Sequence, residues 1–508
     1  MGRWKENTVA NYVGTAWSGA ARIISLPLYI RFLGIEAFGL VGFYMAIQAV
    51  LSGADFGLAP TLSRVLAKWD AKPEEFNSVH GVLFALERIG LIISLALGLG
   101  VAFAAPYITV DWLNIGHLSR TYVERAIILM GAVGAFRWMT NLYRGGLLGL
   151  QKQVQLNVLQ SAFATLRWLG VVIPLMLWTP ALLTFFWYQA LIGVVELAAY
   201  RISLLRYIPK GLENTASGLS ALEGHGKFAG AMSAMSVLGL VLAQMDKVVL
   251  SKILSLTEFG YYSVAASIGT VFAMAAAPIL NSSYPRLTEL VALGEASGVL
   301  QFYHRATKLM SFMVIPAAVT FAFFAPAIIS VWTGNKSIAA HTGLLATILV
   351  LAAAVHGITY MPYALQMAFG WVRPSMIGAI VSVAIGLPAM LLFVPIYGSE
   401  AAALIWLAVN LAALVVVVPI VHYRLLSGEV WSWYMQDIMP SVIASGLIAM
   451  GCRFYVIREA STSVGIISVI TEVIGTFVMT AGVAALVNSV CREFIRRSWK
   501  ALCSKVRG

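Results

Sequence analysis

Charge is scarce in this chain of 508 residues: Asp, Glu, Lys and Arg together make up 11% of it. Soluble domains carry ~25%, so a water-covered globular surface is excluded. Only three cysteines occur, Cys452, Cys491 and Cys503. All fall near the C-terminal end, and their spacing fits neither a metal site nor a disulfide framework. There is no phosphate-cradling P-loop, no H-E-x-x-H and no paired-aspartate sugar-nucleotide motif, which argues against an ATP-driven pump. Acidic residues are the scarcer sign, 22 against 34 Lys and Arg, giving a formal net charge of +12. In a soluble protein that balance would suggest nucleic acid. Here loop topology and anionic lipid account for it.

What fills the chain instead is apolar sequence: 60% hydrophobic residues and a mean hydropathy of +0.85. That composition defines an all-α polytopic membrane protein. Fourteen stretches are long enough to cross a ~30 Å hydrocarbon layer as helices and too long for barrel strands. They are 8–30, 38–60, 81–105, 122–147, 155–178, 181–205, 228–253, 258–281, 306–331, 341–369, 374–396, 400–423, 437–457 and 464–489. The first exceeds a signal-peptide core and is read as retained. With the N-terminus placed in the cytoplasm, 22 of the 34 lysines and arginines fall on inside segments and 6 on outside ones; the other six lie within spans. The positive-inside rule then puts both termini in the cytoplasm, with an even number of spans.

The expected organisation is a six-helix lobe over 1–205, a cytoplasmic linker at 206–227, a second six-helix lobe over 228–426, and two further helices over 427–489. A basic amphipathic tail at 490–508 follows, with Ile495, Trp499 and Leu502 opposite Arg492, Arg496 and Lys500, suited to lying on an anionic leaflet. The stretch Arg286–Lys308 is expected to be a partly helical cytoplasmic connection. The lobes also repeat each other: Leu33-Gly34-Ile35-Glu36-Ala37-Phe38-Gly39 aligns with Leu254-Ser255-Leu256-Thr257-Glu258-Phe259-Gly260 at an offset of 221. An even number of spans separates the copies, so they point the same way. That implies a pseudo-two-fold axis along the membrane normal, with a site between the lobes.

Those residues also carry a likeness. Leu26-Pro27-Leu28-Tyr29-Ile30-Arg31-Phe32-Leu33-Gly34, continued by Phe38-Gly39 and Ala54-Asp55-Phe56-Gly57-Leu58, resembles the opening helix pair of bacterial polysaccharide flippases of the Wzx type. These belong to the multidrug/oligosaccharidyl-lipid/polysaccharide exporter superfamily. Met245-Asp246-Lys247-Val248-Val249-Leu250, followed by Gly260-Tyr261-Tyr262-Ser263-Val264-Ala265-Ala266, is similar to the start of that family's second lobe. The resemblance covers about residues 8–425 and implies two six-helix bundles around a central cleft, plus two extra helices, working by alternating access. The implied cargo is an anionic oligosaccharide on undecaprenyl pyrophosphate, for O-antigen, capsule or exopolysaccharide, and the implied location is the bacterial inner membrane. Membrane lipid, a polysaccharide polymerase and a chain-length regulator are the implied partners, with no cofactor and no nucleic acid.

A flippase for such a lipid must take phosphates through hydrocarbon, where bare charge is extremely costly. Cations fixed in a hydrated cavity remove most of that cost. The first span sets Asn11, Thr15, Ser18, Arg22 and Ser25 on one helical stripe. Its small polar residues suit helix packing or a cavity wall equally. Arg22, near the bilayer centre, is read as facing a wet cavity. Arg137 and Arg167 are similarly deep, and Arg88 lies in the inner third of its span. Gln160 lines the stripe of Arg167, while Lys247 closes the stripe of the seventh span and is near enough to an interface to snorkel. In the second lobe Tyr360, with His356 and Tyr363, either contacts sugar rings or packs. The carboxylates Asp55, Glu196 and Asp246 either neutralise arginines or carry protons or sodium. Two rivals stand beside the flippase. A drug or cation exporter of the same superfamily should gather acids where this chain gathers arginines. A membrane polysaccharide polymerase or lipid-linked glycosyltransferase should have a larger loop than any here.

Overall fold

The computed structural model describes residues 2–53, 57–71, 79–179, 181–208, 226–459 and 466–488, with side chains described outside 2–13, 226–238, 455–459 and 466–467. The described chain is helical throughout, with one isolated β-bridge, Asn114 to Ser255. In order the helices are α1 (Gly2–Leu33), α2 (Ile35–Gly53), α3 (Leu58–Ala71), α4 (Val79–Tyr107), α5 (Arg120–Gly149), α6 (Gln153–Ala164), α7 (Val172–Leu177), α8 (Leu182–Leu205) and α9 (Gly226–Ile253). They are followed by α10 (Leu256–Ala292), α11 (Ala296–Thr333), α12 (Lys336–Ala368), α13 (Arg373–Ala412), α14 (Val418–Leu425), α15 (Val430–Ser432), α16 (Met439–Glu459) and α17 (Ile466–Val487). Among the described residues ten helical stretches are long and apolar enough to span a membrane. One of these, Arg373–Leu425, has 53 residues. It bends at Gly398, whose φ of 66° and ψ of −152° are open to glycine but not to residues with a Cβ.

Two expected spans look different in three dimensions. The second, expected over 38–60, is α2 ending at Gly53; the chain resumes after Gly57 (φ +74°) as the separate helix α3. This short helix is amphipathic. It buries Thr61, Leu62, Val65 and Leu66 and exposes Arg64, Lys68 and Asp70. The fifth span is broken by a π-helical turn, Thr165–Gly170, between α6 and α7. The connection expected at Arg286–Lys308 is helical as expected except for a tight turn at 293–295 between α10 and α11, of 37 and 38 residues. At 1.5 Å per residue each is about 55 Å long, well beyond the hydrocarbon thickness. Asn335 caps α12 by accepting from the Ser337 and Ile338 amides at 2.9 and 3.2 Å. The tail at 490–508 lies outside the described residues, as does the linker from 209 to 225.

The chain falls into two compact units, residues 1–260 and 261–508. In the first, α3, α4, α5 and α8 enclose a core of Leu62, Leu66, Leu83, Leu86, Leu142, Leu147, Tyr200 and Leu204. Gly145 and Gly149 let α3 lie directly on α5. A Cβ there would come within 2.5 Å of the Ala59 carbonyl oxygen and 2.3 Å of that of Ser63.

The repeated segments meet inside this first unit. A Cβ on Gly39 would sit 2.1 Å from the Leu256 carbonyl oxygen, and one on Gly260 would sit 2.4 Å from that of Ile35. Residue 35 matches 256 and residue 39 matches 260 at the offset of 221, so the contact is reciprocal. Around it, the Glu36 carboxylate accepts from the amides of Gly116 and His117 at 2.8 and 3.0 Å. The Asn114 side chain donates to the last carbonyls of α9, at 2.9 Å to Lys252. In the second unit, α16 and α17 pack on α11, joined by the Thr320–Thr480 hydroxyl pair at 3.0 Å and by Asn488 donating to the Lys308 carbonyl at 2.8 Å.

Candidate functional site

A group of cations in the first unit is built from α1, α2, α5, the Thr165–Gly170 turn and α8. On α1 the polar stripe divides. Ser18 and Ser25 spend their hydroxyls on the helix's own carbonyls, of Gly14 and Arg22, both at 2.7 Å. Arg22 is left as the group that reaches outward. Its guanidinium lies 5.6 Å from the centre of the Trp168 ring, and its Nη2 is 3.2 Å from the Met45 sulfur. Its Nε is buried without a hydrogen-bond partner. No carboxylate among the described residues forms an ion pair with it, and the neighbouring charge it feels is another cation, Arg137.

Arg137 on α5 is half-buried beside the Tyr44 hydroxyl of α2, and no described carboxylate lies within ion-pair distance of it either. Glu196 is near enough to attract it but not to pair. Tyr44 and Gln48, one turn apart on α2, are both buried. The Tyr44 hydroxyl faces Arg137, and the Gln48 Oε1 is buried without a hydrogen-bond partner. The rings of Phe185 and Phe186 on α8 stand edge-on to Tyr44, at 6.5 and 5.3 Å, and give the site one apolar wall. Two like charges with no ion-paired acid among the described residues thus stand close together.

Arg167 is held differently. The π-helical turn aims it at α8, where Nε and Nη2 lie 2.7 and 2.5 Å from Glu196 Oε2. Gln189 completes the arrangement: its Oε1 accepts from Nη1 at 3.1 Å and its Nε2 donates to the Arg167 carbonyl at 2.9 Å. All three side chains are buried. Arg167 and Glu196, one read from sequence as a substrate ligand and the other as a coupling acid, are thus each other's partner. Tyr29 ties α1 to the same turn by donating to the Trp168 carbonyl at 2.5 Å.

The other candidates are dispersed. Arg88 is exposed on α4 and makes no hydrogen bond or ion pair with a described residue. Its neighbour Glu87 pairs across helices, with Arg201 at 3.0 Å and the Tyr143 hydroxyl at 2.8 Å. Gln160 accepts from Arg144 at 2.9 Å. Lys247 lies 3.5 Å from the adjacent Asp246 and donates to the Ala243 carbonyl. Tyr360 belongs to the second unit, edge-on to His356 at 5.1 Å, while Tyr261 stacks on His341 at 4.7 Å. Asp55 and the side chain of Asn11 lie outside the described residues. Sequence reading passed over Trp168 and Gln189. Gln189 and Glu196 stand seven residues apart, two turns of helix, which puts both on one face of α8; that spacing was the available signal.

The architecture is that of a multi-span membrane protein. The profile of a family described as "Polysaccharide biosynthesis protein" matches residues 5–291, and the chain belongs to that family. A comparison of the sequence with curated proteins finds no match. Among solved structures it is similar to "Lipid II flippase MurJ, inward closed conformation", at 12% identity and a TM-score of 0.67, over 97% of this chain and 99% of that one. It is also similar to an inward-facing multidrug resistance MATE family transporter of the MOP superfamily, at 13% identity and a TM-score of 0.65 over 80% and 94% of the two chains. An outward-facing one matches at 14% identity and 0.56 over 83% and 95%. These likenesses show the fold, and the proteins that share it are a flippase and transporters, not enzymes.

Proposed function

We propose that the chain moves an anionic lipid-linked oligosaccharide, an undecaprenyl pyrophosphate-linked glycan repeat unit, from the cytoplasmic to the outer leaflet of a bacterial inner membrane. It does so by alternating access, to supply O-antigen, capsule or exopolysaccharide synthesis. The observation that carries this reading is the pair Arg22 and Arg137: two cations on different helices, close enough to repel, with no described acid paired to either. Keeping such a pair costs stability unless an anion visits, and pyrophosphate is an anion with enough charge to satisfy both. With a negative-inside potential, outward movement of an anion gains ~2.3 kcal/mol per charge per 100 mV. A dedicated coupling ion is therefore not demanded by the energetics. Membership of a polysaccharide biosynthesis family and the flippase fold agree with this cargo.

The test is deletion of the gene, followed by analysis of surface glycan and of its lipid-linked precursor. Loss of the glycan with precursor build-up, complemented by the wild-type gene but not by Arg22→Ala or Arg137→Ala, is the expected result. Unchanged glycan in a strain without a second exporter, or loss of sugar polymerisation itself, would refute it.

A further inference from the structure

In the second unit, one imidazole has carboxylates on both of its nitrogens. His304 on α11 places Nδ1 2.5 Å from Asp437 Oδ2 and Nε2 3.3 Å from Glu429 Oε2. A neutral imidazole offers one N–H and one lone pair. Set between two ionised carboxylates, it would point that lone pair at an anionic oxygen. The neighbouring His422 on α14 shows the ordinary neutral case. Its Nδ1 donates to the Val418 carbonyl at 2.9 Å, so its Nε2 accepts from the Tyr303 hydroxyl at 3.1 Å. His304 has no such neutral solution. One additional proton on the ring gives each carboxylate an N–H donor.

The surrounding charges point the same way. The groups facing His304 are Asp437 from the π-helical turn before α16, Glu429 from the loop between α14 and α15, and Lys308 from its own helix. Behind them stand Tyr303 and His422. α12 and α17, also packed on α11, bring no charged group into its range among the described residues. Lys308 lies 3.7 Å from Asp437 Oδ1. With the extra proton the cluster of two acids, one lysine and one imidazole is neutral overall. Without it a net negative charge is left in a place where Asp437 is 1% and His304 16% exposed. Buried net charge of that kind is strongly disfavoured.

We propose that His304, Asp437 and Glu429 form a proton-binding site. The bound proton fastens the segment entering α16 to α11. Asp437 is the fixed half, because its turn is anchored by the fully buried Trp433, whose indole donates to the Thr307 hydroxyl at 3.1 Å. Glu429 is the releasable half. It is 30% exposed and its contact is the longer one, so loss of the proton breaks the Glu429 contact first and frees the loop from α14 to α15. This site uses none of the cations assigned to phosphate and stands whatever the cargo is.

The experiment is nitrogen NMR of ring-labelled histidine in the full-length protein in lipid nanodiscs, titrated from about pH 5 to pH 9. His304→Gln assigns the resonance. Both ring nitrogens of His304 are expected to be protonated at neutral pH. The pH at which the second proton leaves should fall by about one unit or more in Asp437→Asn, a tenfold weakening of proton binding. A smaller shift in the same direction is expected in Glu429→Gln, which alters only the half-exposed arm and keeps the test usable if the aspartate variant fails to fold. A His304 ring that is singly protonated at neutral pH, or a midpoint that neither variant moves, would overturn the proposal.

Discussion

Two arginines of the first unit reach the same small region and are treated in opposite ways. Arg167 is neutralised by Glu196 and hydrogen-bonded through Nε and Nη1 to Glu196 and Gln189. Arg22, stacked on the neighbouring Trp168, has an unpartnered Nε and only a cation nearby. A protein that needed both for the fold would give both an acid. On the proposed reading the difference separates a strut from a group held ready: Arg167 is ion-paired to α8, while Arg22 has no described ion-pair partner and Arg137 meets the Tyr44 hydroxyl and only the more distant attraction of Glu196.

Substitutions sharpen the contrast. The largest effect on transport is expected from Arg22→Ala and Arg137→Ala: surface glycan falls more than tenfold, with the protein still in the membrane at near wild-type level. The more than 1.4 kcal/mol this implies matches the loss of a charge-assisted hydrogen bond. The largest effect on stability is expected from breaking the other pair. Arg167→Ala or Glu196→Ala should cost roughly 3–5 kcal/mol by orphaning a buried charge, whereas Arg167→Met with Glu196→Leu should cost far less. Thermal melts of purified protein measure both. If the double apolar variant transports normally, Arg167 is a strut; if it folds yet fails to transport, the pair has a second task.

Next comes the reciprocal glycine contact. Gly39→Ala or Gly260→Ala puts a methyl group against a carbonyl oxygen and is expected to cost about 1–3 kcal/mol. The double variant should cost less than the two singles together, because both act on one interface. The smallest effect belongs to Arg201→Ala. Its partner Glu87 is 11% exposed but Arg201 is 44% exposed, and exposed pairs contribute below about 1 kcal/mol.

Much of this was visible in the sequence, for physical reasons that differ by feature. Helices were legible because a bilayer leaves the backbone no other way to satisfy its hydrogen bonds, so long apolar runs suffice. The repeat was legible because a contact made by the same residues from both sides needs glycine at both 39 and 260. Breaks within spans were harder. Gly57 is an ordinary glycine on paper and a π-helical turn such as Thr165–Gly170 carries no composition signal, whereas the bend at Gly398 falls between the expected spans 374–396 and 400–423. The deep cations were found by spacing on one helix, but their state depends on other helices. Arg167 and Glu196 are 29 positions apart, and His304 and Asp437 are 133 apart, distances over which periodicity says nothing.

The central claim is that Arg22 and Arg137 engage pyrophosphate. Its most direct test is to reconstitute purified wild-type protein and the Arg22→Gln, Arg137→Gln double variant into vesicles holding a lipid-linked pyrophosphate oligosaccharide. The lipid reaching the opposite leaflet is then read by its exposure to an added pyrophosphatase. The account predicts rapid exposure with wild type and the slow rate of protein-free vesicles with the variant. Equal rates for wild type and variant would contradict it.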